Sequence, residues 1–172
     1  MDACKDSDYP AEIALVISNK PDAFGLTRAA QSAVKSLVIN HKEFDTRESF
    51  DEAMHQALIS HNIEIVCLAG FMRLLSASFV GKWQGRMINI HPSLLPKYKG
   101  ANAISNALAA GEKITGCTVH YVVPEMDAGE IILQKQVPIL AGDTLETLTL
   151  RMHETEHKAY PAAVRIIIQK NE

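Results

Sequence analysis

Short apolar runs that end in polar turn residues alternate with amphipathic stretches along this 172-residue sequence. Ile13–Ile17 and Ile63–Ala69 are mostly apolar and short, which is typical of strands with both faces covered. Glu48–Ser60 instead repeats apolar or small residues at three- and four-residue spacing, which predicts a helix with one buried face. The alternation predicts an α/β fold with a mainly parallel sheet.

Capping and helix-breaking residues predict the remaining elements. Thr144 is expected to cap the last helix, which Pro161 either kinks or divides from a segment over 162–169. Three further helices are expected: one capped by Asp22 and ending near Ala33, one capped by Ser76 and ending near Trp83, and one over Ala103–Ala110 that Gly111 stops. The further strands are Val34–Ile39, Arg86–Ile90, Thr115–Val123 and Glu130–Val137, the last two around a turn.

Length and composition favour one folded domain over residues 1–172. The apolar fraction of 47% and the charged fraction of 22% are near the averages for globular chains, which argues against disorder. The net charge of -3 lacks the basic excess that binding to nucleic acid needs. Cys67 and Cys117 lie in apolar runs, so we expect buried thiols in a reducing compartment. With no apolar run of 18 residues, a cytoplasmic protein without a membrane span is expected.

Asn89 and His91 stand at the polar end of an otherwise apolar strand. Residues two apart point to the same side of a strand, and ligands of open parallel sheets bind at strand ends. An amide N–H can bind a developing oxyanion while an imidazole supplies or withdraws a proton. The alternative is a strand end that only hydrogen-bonds its own loop.

Two other segments could contribute to such a site. Asp127 lies in a turn, and if the turn folds toward His91 the carboxylate could accept from the ring and raise its pKa. His120, in an apolar strand, is expected to be structural. The loop Ala69–Ser76 is apolar with one arginine, which suits the edge of a ligand site or a cover over the core.

The segment His153–His157 matches HExxH on a predicted helix, a pattern that places two histidines on one face for zinc. The third ligand of the metzincin pattern is missing, because Tyr160 and Ala163 stand downstream. We therefore favour a solvated or substrate-binding helix face over a metal site.

Four segments together resemble the folate-dependent glycinamide ribonucleotide formyltransferases, and the likeness runs essentially end to end. They are Ser18–Leu26, Cys67–Ser76, Asn89–Pro96 and Gly116–Gly129. The Asn, His and Asp set also occurs in methionyl-tRNA formyltransferase and formyltetrahydrofolate hydrolase. The resemblance implies an α/β fold of the formyltransferase type, with a mainly parallel, doubly wound (Rossmann-like) sheet. It also implies transfer of a formyl group from the co-substrate 10-formyltetrahydrofolate to the amine of glycinamide ribonucleotide in purine synthesis, without a metal.

The resemblance also implies roles for particular residues. Asn89 and His91 would hold the tetrahedral intermediate as the amine attacks the formyl carbon, and Asp127 would keep His91 protonated. Arg47 would meet the carboxylate tail of the folate, and the pterin pocket would be lined by Met72, Arg73, Leu74, Leu75, Asn89, Val123, Pro124, Glu125, Met126 and Asp127. The ribonucleotide would be held by His153, Glu154, Thr155 and Glu156, with Glu156 on the ribose hydroxyls.

The sequence departs from the family pattern in two places. Members begin with an apolar strand and a Gly-Ser-Asn type loop that holds the substrate phosphate, whereas this sequence begins with Met1-Asp2-Ala3-Cys4. We therefore expect the first, central strand and the phosphate loop to be missing and the stability of the chain as written to be low. Ile104, where the family commonly has His, cannot take part in proton transfer.

The first departure leaves alternative functions open. One is an inactive or folate-binding remnant whose exposed strand edges could pair with a second copy as a homodimer. Another is a related formyl-folate enzyme such as formyltetrahydrofolate hydrolase.

Overall fold

Six strands and five α-helices follow one another along residues 1–171, which the computed structural model describes. The strands are β1 Val16–Ser18, β2 Ser36–Val38, β3 Val66–Leu68, β4 Met87–His91, β5 Ile114–Tyr121 and β6 Ile131–Pro138. The helices are α1 Phe24–Gln31, α2 Arg47–Ser60, α3 Ala77–Lys82, α4 Ala103–Ala109 and α5 Leu145–Asn171. They fall into two compact units, one of residues 1–66 and 72–83 and one of residues 67–71 and 84 onward. The single domain over 1–172 stays a prediction.

The first unit combines a small sheet with packed helices. β1 and β2 form a parallel pair, and α2 packs against α3. Their buried side chains include Phe50, Met54, Leu58, Phe79 and Trp83.

Of the two predicted N-terminal caps in this unit, that of α3 is confirmed and that of α1 is wrong. The predicted cap of α3 is confirmed, because the Ser76 hydroxyl accepts from the Phe79 N–H at 3.2 Å. The predicted cap of α1 is wrong: Ala23 holds the N-cap position without a side-chain bond. Asp22 stands one residue too early, since a cap side chain bonds the N–H two or three residues into the helix.

The second unit contains a hairpin and a long helix. The sheet order is β3-β4-β5-β6, with β4–β5 and β5–β6 antiparallel. The two strands predicted around a turn are therefore confirmed as β5 and β6, and so is the α/β class. α5 packs against both strands and buries Leu148, Met152 and Ala159.

The last helix runs unbroken through Pro161, so the alternative in which proline divides it is wrong. Proline removes one N–H, and the helix continues on either side of that position. The predicted cap is confirmed, since the Thr144 hydroxyl accepts from the Thr147 N–H at 3.2 Å. The Tyr160 hydroxyl lies 2.6 Å from the Leu68 carbonyl and 3.0 Å from the Ile88 carbonyl, which joins α5 to β3 and β4.

The cysteines differ in burial. Cys117 is fully buried as expected, whereas Cys67 is exposed and that prediction is wrong. Alternate residues of a strand face opposite sides, so Cys67 points away from the side that half-buries Val66 and Leu68. Among residues 1–171, none of the helices combines the length and apolar character that a bilayer span requires.

Candidate active site

Asn89 and His91 lie two positions apart on β4, beside the antiparallel strand β5. The register places Asn89 opposite His120 and His91 opposite Thr118. The strand ends at His91, one residue later than predicted. Because side chains alternate along a strand, the amide and the imidazole leave β4 on the same side.

The turn between β5 and β6 brings a carboxylate to this pair. Asp127 has a left-handed backbone with φ of +48°. Its Oδ2 accepts from the Gly100 N–H at 2.7 Å and lies 3.3 Å from Nδ1 of His91. The amide, the imidazole and the carboxylate therefore meet in one cluster.

The His91 ring lies between two acceptors and is only 5% exposed. Its Nε2 is 2.7 Å from the carbonyl oxygen of Tyr98, and its Nδ1 faces the Asp127 carboxylate. A carbonyl and an ionised carboxylate can only accept, so a ring with a proton on each nitrogen satisfies both neighbours at once. The ring is therefore engaged from both sides, on the same strand as Asn89.

His120 belongs to the same cluster, which the sequence alone did not indicate. Its Nδ1 lies 2.9 Å from the Tyr121 carbonyl, while its Nε2 lies 3.5 Å from Nδ2 of Asn89 and 3.6 Å from Oδ1 of Asp127. Burial lowers the pKa of His120, against a smaller opposing effect of Asp127. The ring is thus neutral at pH 7, with Nδ1–H donating to the carbonyl and Nε2 able to accept from Asn89. A polar residue inside the apolar run of β5 is the only signal that could have pointed to it.

The residues expected to bind folate lie in both units. In the second unit, Val123 is half-buried, whereas Pro124, Glu125 and Met126 form an exposed edge of the turn that carries Asp127. Met126 is 54% exposed and its sulfur approaches Gly100, the residue whose N–H binds Asp127.

In the first unit, the expected folate residues are mostly exposed. Met72 and Leu74 are 85% and 60% exposed, so the alternative in which they cover the core does not hold for them; Leu75 is half-buried. The Arg73 guanidinium lies 5.7 Å from the centre of the Phe50 ring. Arg47 is exposed and is the first residue of α2, which begins one residue before the predicted start at Glu48 because Thr46 caps the helix.

The residues expected to bind the ribonucleotide lie on one stretch of α5 in the second unit. His153 and Glu154 are exposed, and the Thr155 hydroxyl donates to the Arg151 carbonyl at 3.1 Å. Glu156 is half-buried, and burial raises its pKa against the opposing effects of His153 and His91. Glu156 is therefore the member of this set that interacts electrostatically with His91 of the cluster.

The HExxH pattern does not assemble a metal centre within the described residues. The rings of His153 and His157 stack with centres 6.5 Å apart. Across residues 1–171, the structure contains no group of three or more His, Cys, Asp or Glu side chains that could hold a metal ion.

Known proteins share both the sequence and the fold. The family described as formyl transferase matches residues 1–164. The phosphoribosylglycinamide formyltransferase of Escherichia coli K12 is 42% identical over 164 residues, which are 95% of this chain and 77% of that protein. The crystal structure of phosphoribosylglycinamide formyltransferase from Bacillus halodurans has a TM-score of 0.94 at 39% identity, covering 99% of this chain and 88% of that one.

Longer relatives contain the same segment. The trifunctional purine biosynthetic protein adenosine-3 of Homo sapiens is 49% identical over 167 residues, which are 97% of this chain and 16% of that protein. The protein of the same name from Chironomus tentans is 52% identical over 169 residues, which are 97% of this chain and 12% of that protein. The chain thus spans between 12% and 16% of the length of these two trifunctional relatives. Because the family model matches residues 1–164, and because the chain covers 77% of the Escherichia coli relative at 42% identity, the chain belongs to the formyl transferase family.

Proposed function

We propose that this chain transfers a formyl group from 10-formyltetrahydrofolate to the amine of glycinamide ribonucleotide. The observation that carries the proposal is the cluster of Asn89, His91 and Asp127, in which an amide donor stands beside an imidazole held by a carboxylate. The relatives and structural neighbours that are phosphoribosylglycinamide formyltransferases favour this transfer over the hydrolase alternative.

The cluster suits attack of an amine on a formyl carbon. As the new C–N bond forms, the formyl oxygen gains negative charge, which the Asn89 N–H and the positive His91 ring would stabilise. Asp127, beside Nδ1 of His91, would keep that ring charged. When the bond between the formyl carbon and N10 of the folate breaks, N10 takes a proton and the attacking nitrogen has lost one. The products are tetrahydrofolate and the formylated ribonucleotide.

Binding roles complete the proposal. The folate would contact Met72–Leu75 and Val123–Asp127, and Arg47 would pair with its carboxylate tail. The ribonucleotide would be bound by His153–Glu156, with the Glu156 carboxylate accepting from the ribose hydroxyls. A cytoplasmic location and a homodimer are further parts of the proposal.

The test is release of the formyl group from 10-formyltetrahydrofolate by the purified chain, followed by absorbance with and without glycinamide ribonucleotide. The proposal requires release that depends on the ribonucleotide. Release of the formyl group in the absence of the ribonucleotide would favour the hydrolase. No release in either its presence or its absence would contradict catalysis by the chain.

Variants of the cluster sharpen this test. Asn89→Ala removes an oxyanion donor, a loss that costs roughly 3 to 4 kcal/mol, and Asp127→Asn removes the negative charge that would keep His91 charged. Each should lower turnover by at least about a hundredfold. Gln136→Ala is the matched control, since it removes an exposed amide from β6. A cluster variant that keeps its thermal unfolding and nearly full turnover would remove that residue from the mechanism.

A further inference from the structure

Two residues with left-handed backbone flank the His91 ring. Tyr98, with φ of +55°, presents its carbonyl to Nε2 at 2.7 Å, and Asp127 presents its carboxylate to Nδ1. Non-glycine residues rarely adopt positive φ, and they do so where the surrounding structure holds them there. The contacts that hold Tyr98 therefore bear on the orientation of His91.

The Tyr98 side chain is held by Glu112, a residue between α4 and β5. The Tyr98 hydroxyl donates to Oε1 of Glu112 at 2.9 Å, and the Lys97 ammonium donates to the same oxygen at 2.8 Å. These two bonds, that of Lys97 first, lower the pKa of Glu112 and keep it an ionised, strong acceptor. The Glu112 side chain is 26% exposed and that of Lys97 is 64% exposed, so the bond from Tyr98 is the more protected of the two.

We propose that the hydrogen bond between Tyr98 and Glu112, here called the latch, keeps the Tyr98 carbonyl on Nε2 of His91. Both side chains are then positioning residues, because they act on the reaction only through the His91 ring. Without the latch, Tyr98 can relax to negative φ and its carbonyl leaves the ring. The neutral ring then favours the proton on Nδ1, which faces Asp127, over the proton on Nε2.

The latch predicts a spectroscopic signature that does not depend on activity. In protein labelled with ¹⁵N at histidine, the ring shifts of His91 report which nitrogen is protonated, and a spectrum of His91→Asn assigns them. Tyr98→Phe and Glu112→Ala should both move the neutral His91 ring toward the Nδ1–H form. The charged or titratable groups that face this ring from other elements are Asp127, His120 and Glu156, and neither substitution replaces any of them.

Kinetics provide the second readout, which rests on the proposed formyl transfer. Tyr98→Phe and Glu112→Ala should each lower kcat at least about fivefold while KM for both substrates stays within about twofold. The double variant should be no worse than either single one, because both remove the same bond. Glu112→Gln, which keeps an acceptor oxygen, should recover the signature and the rate. Lys97→Met is the control for the ion pair, since it removes the ammonium and keeps both groups that form the latch, the Tyr98 hydroxyl and the Glu112 carboxylate.

The outcomes separate the two proposals. Loss of the Nε2–H form in both latch variants supports the latch even if the wild-type chain transfers no formyl group. Unchanged ring shifts and unchanged kcat in Tyr98→Phe and Glu112→Ala would overturn it. Should Glu112→Ala fail to fold, Tyr98→Phe removes a single oxygen atom and tests the same bond.

Discussion

The side-chain nitrogen of Asn89 and Nε2 of His120 face each other across the β4–β5 pair at 3.5 Å. Because the Nδ1–H of His120 is engaged by the Tyr121 carbonyl, the neutral ring offers a lone pair toward Asn89. His120 thereby restricts the rotation of the amide that we propose as oxyanion donor. The neighbouring strand thus orients the site through a buried side chain.

Replacing His120 tests this orientation. His120→Phe keeps a buried ring but removes the acceptor, so we expect kcat to fall roughly tenfold, the equivalent of one ordinary hydrogen bond. His120→Gln, whose carbonyl can accept the same bond, should recover part of the loss. Steady-state rates at saturating substrate measure both. Equal rates for wild type and His120→Phe would show that Asn89 is oriented without His120.

The pH dependence of stability provides an independent check on the same residue. Burial lowers the pKa of His120 in the folded state from its ordinary value of 6.5. Below that value the unfolded chain takes up a proton that the folded chain refuses, so the free energy of unfolding should fall as the pH is lowered through 6.5. Denaturant unfolding at several pH values should give a flatter profile for His120→Phe. Identical slopes would mean that folding does not lower the pKa of His120.

Glu156 should make stability depend on pH in the opposite direction to His120. Burial raises its pKa in the folded state, so the folded chain keeps a proton that the unfolded chain releases, and stability falls as the pH rises above the ordinary range of a glutamate. Glu156→Gln removes this dependence and should raise the unfolding temperature at pH 8. The same change should increase KM for the ribonucleotide, on the order of tenfold, because an amide accepts fewer hydroxyl bonds than a carboxylate. Unchanged stability and unchanged KM together would leave Glu156 without the proposed role.

The sequence predicted those features that depend on local pattern. The caps Ser76 and Thr144 follow from the free N–H groups of a helix start, and the shared direction of Asn89 and His91 follows from the two-residue period of a strand. These features need only a few consecutive residues.

The other members of the site depend on pairing and turn geometry that a local pattern does not contain. His120 reaches Asn89 across 31 positions through the register of β4 and β5. The contact of Asp127 with His91 depends on a left-handed turn, and the Tyr98 carbonyl is a backbone group that no residue type identifies. Such contacts follow only from the folded chain.

Burial also separates the reactivity of the cysteines. Cys117 is fully buried, and burial raises its pKa to about 11, whereas Cys67 is exposed. Since the thiolate is the reacting form, a thiol reagent at pH 8 should modify Cys67 at least about a hundredfold faster than Cys117 in the native protein. Mass spectrometry of the labelled peptides measures the rate at each cysteine. Cys67→Ser should remove the fast labelling at position 67 and leave that of the half-exposed Cys4. In denaturant, the reagent should modify Cys117 as fast as it modifies an ordinary exposed thiol. Rapid native labelling of Cys117 would instead show that the packing of α5 against β5 opens readily.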